Sequence, residues 1–153
     1  MPNDPSGFVE FLMSRKHRAA ELLEAQNWKV LEEESGRVHV QCHLPDSVLN
    51  VAGFLFGGFT PVYVDLFAIW TCATTITGPR QWMATVNMRL DYLEPIVQPG
   101  FRAKSRLVNA RKKRDYLVET SFLSLEEENE KLLAFAITTM RKTSRTKMPE
   151  ASG

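Results

Sequence analysis

The chain has 153 residues, a formal net charge of +1 and an apolar fraction of 44%. That length suits one domain whose core needs no metal or disulfide staple, and the near-neutral balance offers no broad basic field to a nucleic acid. The two cysteines, Cys42 and Cys72, sit in apolar-patterned segments without CxxC spacing, so they read as buried small side chains of a protein in a reducing cytoplasm.

Met1-Pro2-Asn3-Asp4-Pro5 opens the chain without a long apolar run, and no signal peptide is read there. Phe8, Phe11, Leu12, Ala19, Leu22 and Leu23 recur at helical spacing, which predicts an amphipathic helix from Phe8 to Gln26. Trp28 to Glu34 and Arg37 to Leu44 read as two strands joined by a tight turn at Ser35-Gly36. In the second, Val38, Val40 and Cys42 alternate with His39, Gln41 and His43, so one face is buried and the other wet. Asp46 to Leu55 reads as a loop. From Gly57 to Thr77 the pattern is apolar nearly all round, as in a buried helix, with Pro61 tolerated in its first turn and Gly78-Pro79 as its stop.

Three long strands and a last one follow: Met83 to Leu93, Phe101 to Ala110, Tyr116 to Leu125 and Lys131 to Arg141. In the first of these, Val86, Met88 and Leu90 alternate with Asn87, Arg89 and Asp91. The order predicts an α+β fold: one long antiparallel sheet wrapped around a central apolar helix, with an extra N-terminal helix. The same reading expects a helical extension over residues 1–27, the main domain over 28–142 and a disordered tail over 143–153.

Asp65 is the single charge between Asp46 and Arg80, and its neighbours include Tyr63, Val64, Leu66 and Phe67. A carboxylate in such surroundings needs a partner or a task, and none of the adjacent residues is basic. A membrane span over Phe54 to Ile76 would be long enough, but the central Asp, the double glycine and Pro61 speak against it. His17, His39 and His43 show no metal-ligand spacing, and no P-loop, nucleophile elbow or dinucleotide fingerprint is present.

Asn50, Phe56-Gly57-Gly58, Asp65, Thr85 and Tyr92-Leu93-Glu94-Pro95 occur in that order along the middle of the chain. This set resembles the motif of hotdog-fold acyl-CoA thioesterases, specifically the Asp-dependent, phenylacetate-type branch. There the loop carries an Asn, the helix start a His-Gly-Gly, the helix an Asp and the next strand a Ser or Thr. The resemblance runs from Asn50 to Pro95, extends weakly to Arg141, and departs at Phe56, which stands where the motif has His.

The resemblance implies hydrolysis of an acyl-CoA thioester to a free acid and CoA. The Gly57 amide, with Gly58, would hold the thioester oxygen, Asn50 would help hold the carbonyl or the water, Asp65 would act as base or nucleophile, and Thr85 would position the water. No cofactor is implied, since coenzyme A belongs to the substrate. The turn Arg111-Lys112-Lys113-Arg114 is a candidate phosphate grip, with Arg80 and Arg89 as secondary candidates. Phe54, Phe56, Phe59, Tyr63, Phe67, Trp70, Trp82 and Met83 are candidates for the acyl pocket. Seven helical residues span about 10.5 Å, too far for Gly58 and Asp65 of one chain to meet one reacting atom. A two-fold axis bringing antiparallel helices together would join the glycine end of one to the Asp of the other, which implies a homodimer with shared sites, or a dimer of dimers.

Two other readings use the same residues. One is a non-catalytic hotdog domain that binds an acyl ligand or serves dimerisation, which the Phe at position 56 favours. The other is an acyl-thioester hydratase, which would need a His beside the central helix, where the sequence has none.

Overall fold

The computed structural model describes residues 17–77, 83–111 and 114–143. The chain enters through a short helix, α1 (Arg18–Leu22), and a 3₁₀ turn at Ala25–Asn27. A hairpin of β1 (Lys29–Glu34) and β2 (Arg37–His43) follows, then a second 3₁₀ turn at Asp46–Val48 and the long helix α2 (Thr60–Ala73). Four strands complete the domain: β3 (Met83–Tyr92), β4 (Gly100–Arg111), β5 (Asp115–Leu123) and β6 (Leu132–Lys142). They form one six-stranded sheet in the order β1-β2-β4-β5-β6-β3, antiparallel at every pairing. The α+β architecture expected from the element order is the one observed, and β1 and β3 are its two terminal strands.

The sheet curls around α2, which packs across β4, β5 and β6. The sheet covers most of α2, with Tyr63, Val64, Phe67, Ala68, Trp70, Thr71 and Cys72 all sealed from solvent, and the stripe it leaves partly exposed is itself mostly apolar: Val62, Asp65, Ile69 and Ala73. Trp28, Tyr63, Phe67, Phe101 and Phe122 form a continuous aromatic core, with Tyr63 meeting Phe101 edge-on at 5.1 Å and Trp28 meeting Phe67 at 5.5 Å. A buried line of hydroxyls fixes the helix on the sheet. Thr71 Oγ1 lies 2.7 Å from Ser105 Oγ, which lies 3.1 Å from Thr120 Oγ1.

Three elements differ from the sequence expectation. The N-terminal helix ends at Leu22, and Glu24 turns left-handed with φ of 52°. Leu23 and Ala25 are both wholly buried. An unbroken helix would point residues two apart to nearly opposite sides, so burying both requires the break. The part of that expected helix before His17 lies outside the described residues.

Helix α2 begins at Thr60 rather than Gly57, because Phe56–Phe59 form a separate turn closed by Phe59 N–H donating to the Phe56 carbonyl at 2.9 Å. It ends at Ala73 rather than Thr77. There the Thr74 and Thr75 hydroxyls donate to the Thr71 and Cys72 carbonyls, satisfying acceptors that the next helical turn would have used. Thr74 Oγ1 also accepts the amide of Gly36, whose φ of 78° suits glycine in the β1–β2 turn.

The third difference lies in β3. Its pairing with β6 shifts between Thr85 and Asn87, so strict alternation breaks at Val86. Thr85 then stands opposite the buried Met140, and Met88 and Leu90 also turn toward the core. Val86, expected on the face of Met88 and Leu90, is 48% exposed.

Candidate active site

The bulge carries Thr85 to α2. Its hydroxyl donates to Asp65 Oδ1 at 2.6 Å, across 20 residues of sequence. Met140 Sδ also lies 3.5 Å from that hydroxyl, but a carboxylate is much the stronger acceptor. Asp65 is half-buried rather than sunk: it sits on the flank of α2 that β3, the terminal strand, leaves open. It is thus reachable by water and held by a neutral donor, with no basic side chain within ion-pair distance among the described residues.

Gly57 and Gly58 lie in the turn before α2, both exposed, and their amides donate to no described residue. Gly57 packs under the Tyr92 ring, whose hydroxyl donates to the Gly57 carbonyl at 2.6 Å. At Gly58 a Cβ would sit 2.9 Å from the Phe56 ring, closer than real contacts allow, so with this ring position only glycine fits. Phe56 is 52% exposed, lies edge-on to Phe59 at 6.0 Å, and covers the face of the turn where the motif's His would stand.

Asn50 is a loop organiser. Its Oδ1 accepts the amides of Ala52 and Phe54, each at 3.0 Å, which commits the side-chain oxygen to the backbone and leaves the NH₂ as its remaining donor. The same loop is tied to the glycine turn through the Phe56 amide, which donates to the Val48 carbonyl at 2.8 Å.

The candidate pocket residues divide. Tyr63, Phe67 and Trp70 belong to the closed core rather than to an open wall, and burial pushes the Tyr63 phenol upward from its ordinary value. Trp70 Nε1 donates to Glu33 at 2.7 Å. Met83 is nearly closed off, whereas Phe54 and Phe56 reach solvent. Trp82, Arg80, Lys112, Lys113 and the Arg111 side chain lie outside the described residues. Arg114 is exposed in the β4–β5 turn, and Arg89 pairs with Asp91 at 3.3 Å on the outer face. Cys42 and Cys72 are buried and unpaired, the first thiol pushed well up and the second to about 12 by desolvation. Among the described residues no group of three or more side chains is placed to hold a metal, and no helix is long and apolar enough to cross a membrane.

The sequence matches no family profile and no curated protein. Its structure matches many solved ones. A thioesterase family protein from Silicibacter pomeroyi superposes with a TM-score of 0.74 at 15% identity, over 91% of this chain and 98% of that one. The chain has the hotdog fold. A hypothetical thioesterase from Streptococcus pneumoniae, solved with coenzyme A, superposes with a TM-score of 0.67 at 17% identity, over 80% of this chain and 90% of the other. A Streptococcus mutans protein bound to acetyl CoA gives 0.65 at 22% identity, over 79% and 92% of the two chains. This hotdog domain therefore has its Asp65–Thr85 pair at mid-helix and two free glycine amides before the helix, with Tyr92 as the contact that sequence reasoning missed. Tyr92 was visible only as the first residue of Tyr-x-x-Pro; nothing in the sequence shows that its hydroxyl reaches Gly57.

Proposed function

We propose that this hotdog domain hydrolyses acyl-CoA thioesters with Asp65 as the general base, in the manner of the Asp-dependent, phenylacetate-type branch. The observation that carries the reading is the 2.6 Å bond from Thr85 to a half-buried Asp65 that has no cation at ion-pair distance among the described residues. Asp65 takes a proton from water as the water oxygen attacks the thioester carbon. Thr85, its proton engaged by Asp65, keeps oxygen lone pairs free to accept from that water. The carbonyl electrons move onto oxygen, where the Gly57 and Gly58 amides stabilise the charge, and the Asn50 NH₂ is the further donor. Collapse of the tetrahedral intermediate expels the CoA thiolate.

The two halves belong to opposite ends of one short stretch, so the complete site is shared between two subunits, the glycine turn of one facing Asp65 of the other. The open edge of β3, with Val86, Tyr92 and Leu93 exposed near it, is the surface suited to that pairing. Arg114, exposed in the β4–β5 turn, supplies charge for the CoA phosphates.

The test is CoA release from acetyl-, hexanoyl- and phenylacetyl-CoA, read with a thiol reagent, for wild type and Asp65→Asn. The protein's own thiols are buried and give little background. Hydrolysis that Asp65→Asn abolishes supports the reading; equal rates in both proteins overturn it. Phe56 in the motif's His position favours a second reading, a non-catalytic acyl-CoA-binding hotdog domain. Saturable binding of acyl-CoA without release by wild type would select it.

A further inference from the structure

We infer that Tyr92 is a positioning residue for the oxyanion donors: its hydroxyl pins the Gly57–Gly58 peptide so that the Gly58 amide faces the thioester oxygen. This rests on the thioesterase reading above. The turn before α2 presents two consecutive free N–H groups, on Gly57 and Gly58. Each N–H shares a peptide plane with the carbonyl of the preceding residue. In a trans peptide the two point in opposite directions, so fixing the carbonyl aims the amide.

Both carbonyls are fixed, by different means. The Phe56 carbonyl accepts Phe59 N–H at 2.9 Å, a bond internal to the turn. The Gly57 carbonyl accepts the Tyr92 hydroxyl at 2.6 Å, a bond from another element. That second plane most needs an external hold, because glycine flanks it on both sides and a Gly-Gly peptide has the widest backbone freedom. Tyr92 closes β3, where its backbone is paired with Ala134 of β6, so its ring is carried on a rigid base. The ring lies over Gly57 at ordinary contact distance, 3.7 Å from where a Cβ would be. Yet Tyr92 is 56% exposed, far more than core packing would leave it.

A carbonyl that accepts a hydrogen bond also polarises its own N–H, making it a better donor. Tyr92 thereby supplies orientation and polarity to an amide that must be in place before charge develops. β3 serves both halves of the chemistry from its core-facing register, Thr85 holding Asp65 and Tyr92 holding the glycine peptide.

The test compares wild type, Tyr92→Phe and Asp65→Asn, each checked by thermal melting. Phe keeps the ring over Gly57 and removes only the hydroxyl. With the fastest of acetyl-, hexanoyl- and phenylacetyl-CoA, Tyr92→Phe is expected to lower kcat about tenfold while KM stays within about twofold and the pH profile of kcat keeps its shape. A readout independent of turnover is the infrared carbonyl stretch of the ketone analogue of phenylacetyl-CoA, which carries a methylene between carbonyl and sulfur. Bound to wild type its stretch falls below the value in water, and in Tyr92→Phe it moves part of the way back. Unchanged kcat and unchanged stretch in Tyr92→Phe overturn the positioning role. Undiminished hydrolysis by Asp65→Asn overturns the Asp65 reading instead, and the stretch still decides Tyr92. A stretch in wild type equal to that in water overturns the donor role of the glycine amides and with it the role of Tyr92.

Discussion

The Thr85 hydroxyl lies 2.6 Å from Asp65 Oδ1, and it gets there through a register shift in β3 that turns residue 85 toward the central helix. Without the bulge at Val86, a strand that buries Met88 and Leu90 would carry residue 85 on its outer face, away from the acid. The side chain and the backbone irregularity therefore act together.

Replacing Thr85 tests that link directly. A hydrogen bond to a charged group contributes about 1.5–3 kcal/mol, so Thr85→Val is expected to lower kcat roughly 10- to 100-fold, while Thr85→Ser keeps most of it. Steady-state kinetics on an acyl-CoA substrate checks this. A loss in Thr85→Ser with none in Thr85→Val would show that the methyl group, not the hydroxyl, matters.

Gly58→Ala separates stability from activity. The added Cβ meets the Phe56 ring at 2.9 Å, and Phe56 is 52% exposed, so the ring can swing away at small cost. Urea unfolding is expected to change by less than about 1 kcal/mol. Hydrolysis should fall, because the displaced ring lies against the turn that presents the amides. Phe56→Ala combined with Gly58→Ala should recover part of the loss, and kinetics of the double variant would tell.

Arg102 is 2% exposed on the outer face of β4, where its guanidinium donates to the Ser124 carbonyl at 3.0 Å and to Glu130, closing the β5–β6 turn. Arg102→Ala leaves these acceptors without their donor and should cost about 3 kcal/mol in urea unfolding. Bonding to Arg102 holds the Glu130 carboxyl below the ordinary glutamate range. A depressed folded value means that this stabilisation is complete above the unfolded glutamate value and is lost as pH falls through the folded one. Stability curves of wild type and Glu130→Gln should therefore converge in acid and separate toward neutrality.

Tyr63→Phe predicts a gain. The Tyr63 hydroxyl is buried without a hydrogen-bond partner among the described residues, and a hydroxyl in that state costs more than it contributes. Its removal keeps the stacking on Trp28 and the edge-on contact with Phe101. Tm should rise by about 2–4 °C for each kcal/mol recovered. A fall in Tm would mean that the phenol oxygen has a partner in solution, such as a trapped water.

The sequence by itself determined the elements of this hotdog domain. Period-two alternation in Arg37–His43 and the all-round apolarity of Thr60–Ala73 are local consequences of which faces are buried, and they can be read without coordinates. It also marked Asp65, because one acid in an apolar stretch stands out. The tertiary structure alone decided what that acid touches, which side chains of the apolar list face solvent, and where the helices start and stop. Tyr63 and Phe56 are both aromatic, yet one is in the core and the other 52% exposed. Thr85 meets Asp65 only because β3 slips by one residue against β6, and Tyr92 meets Gly57 only because the end of that strand passes the turn. A bulge and a long-range hydrogen bond within the chain arise from contact between distant segments, and such contact leaves no periodic mark on either one.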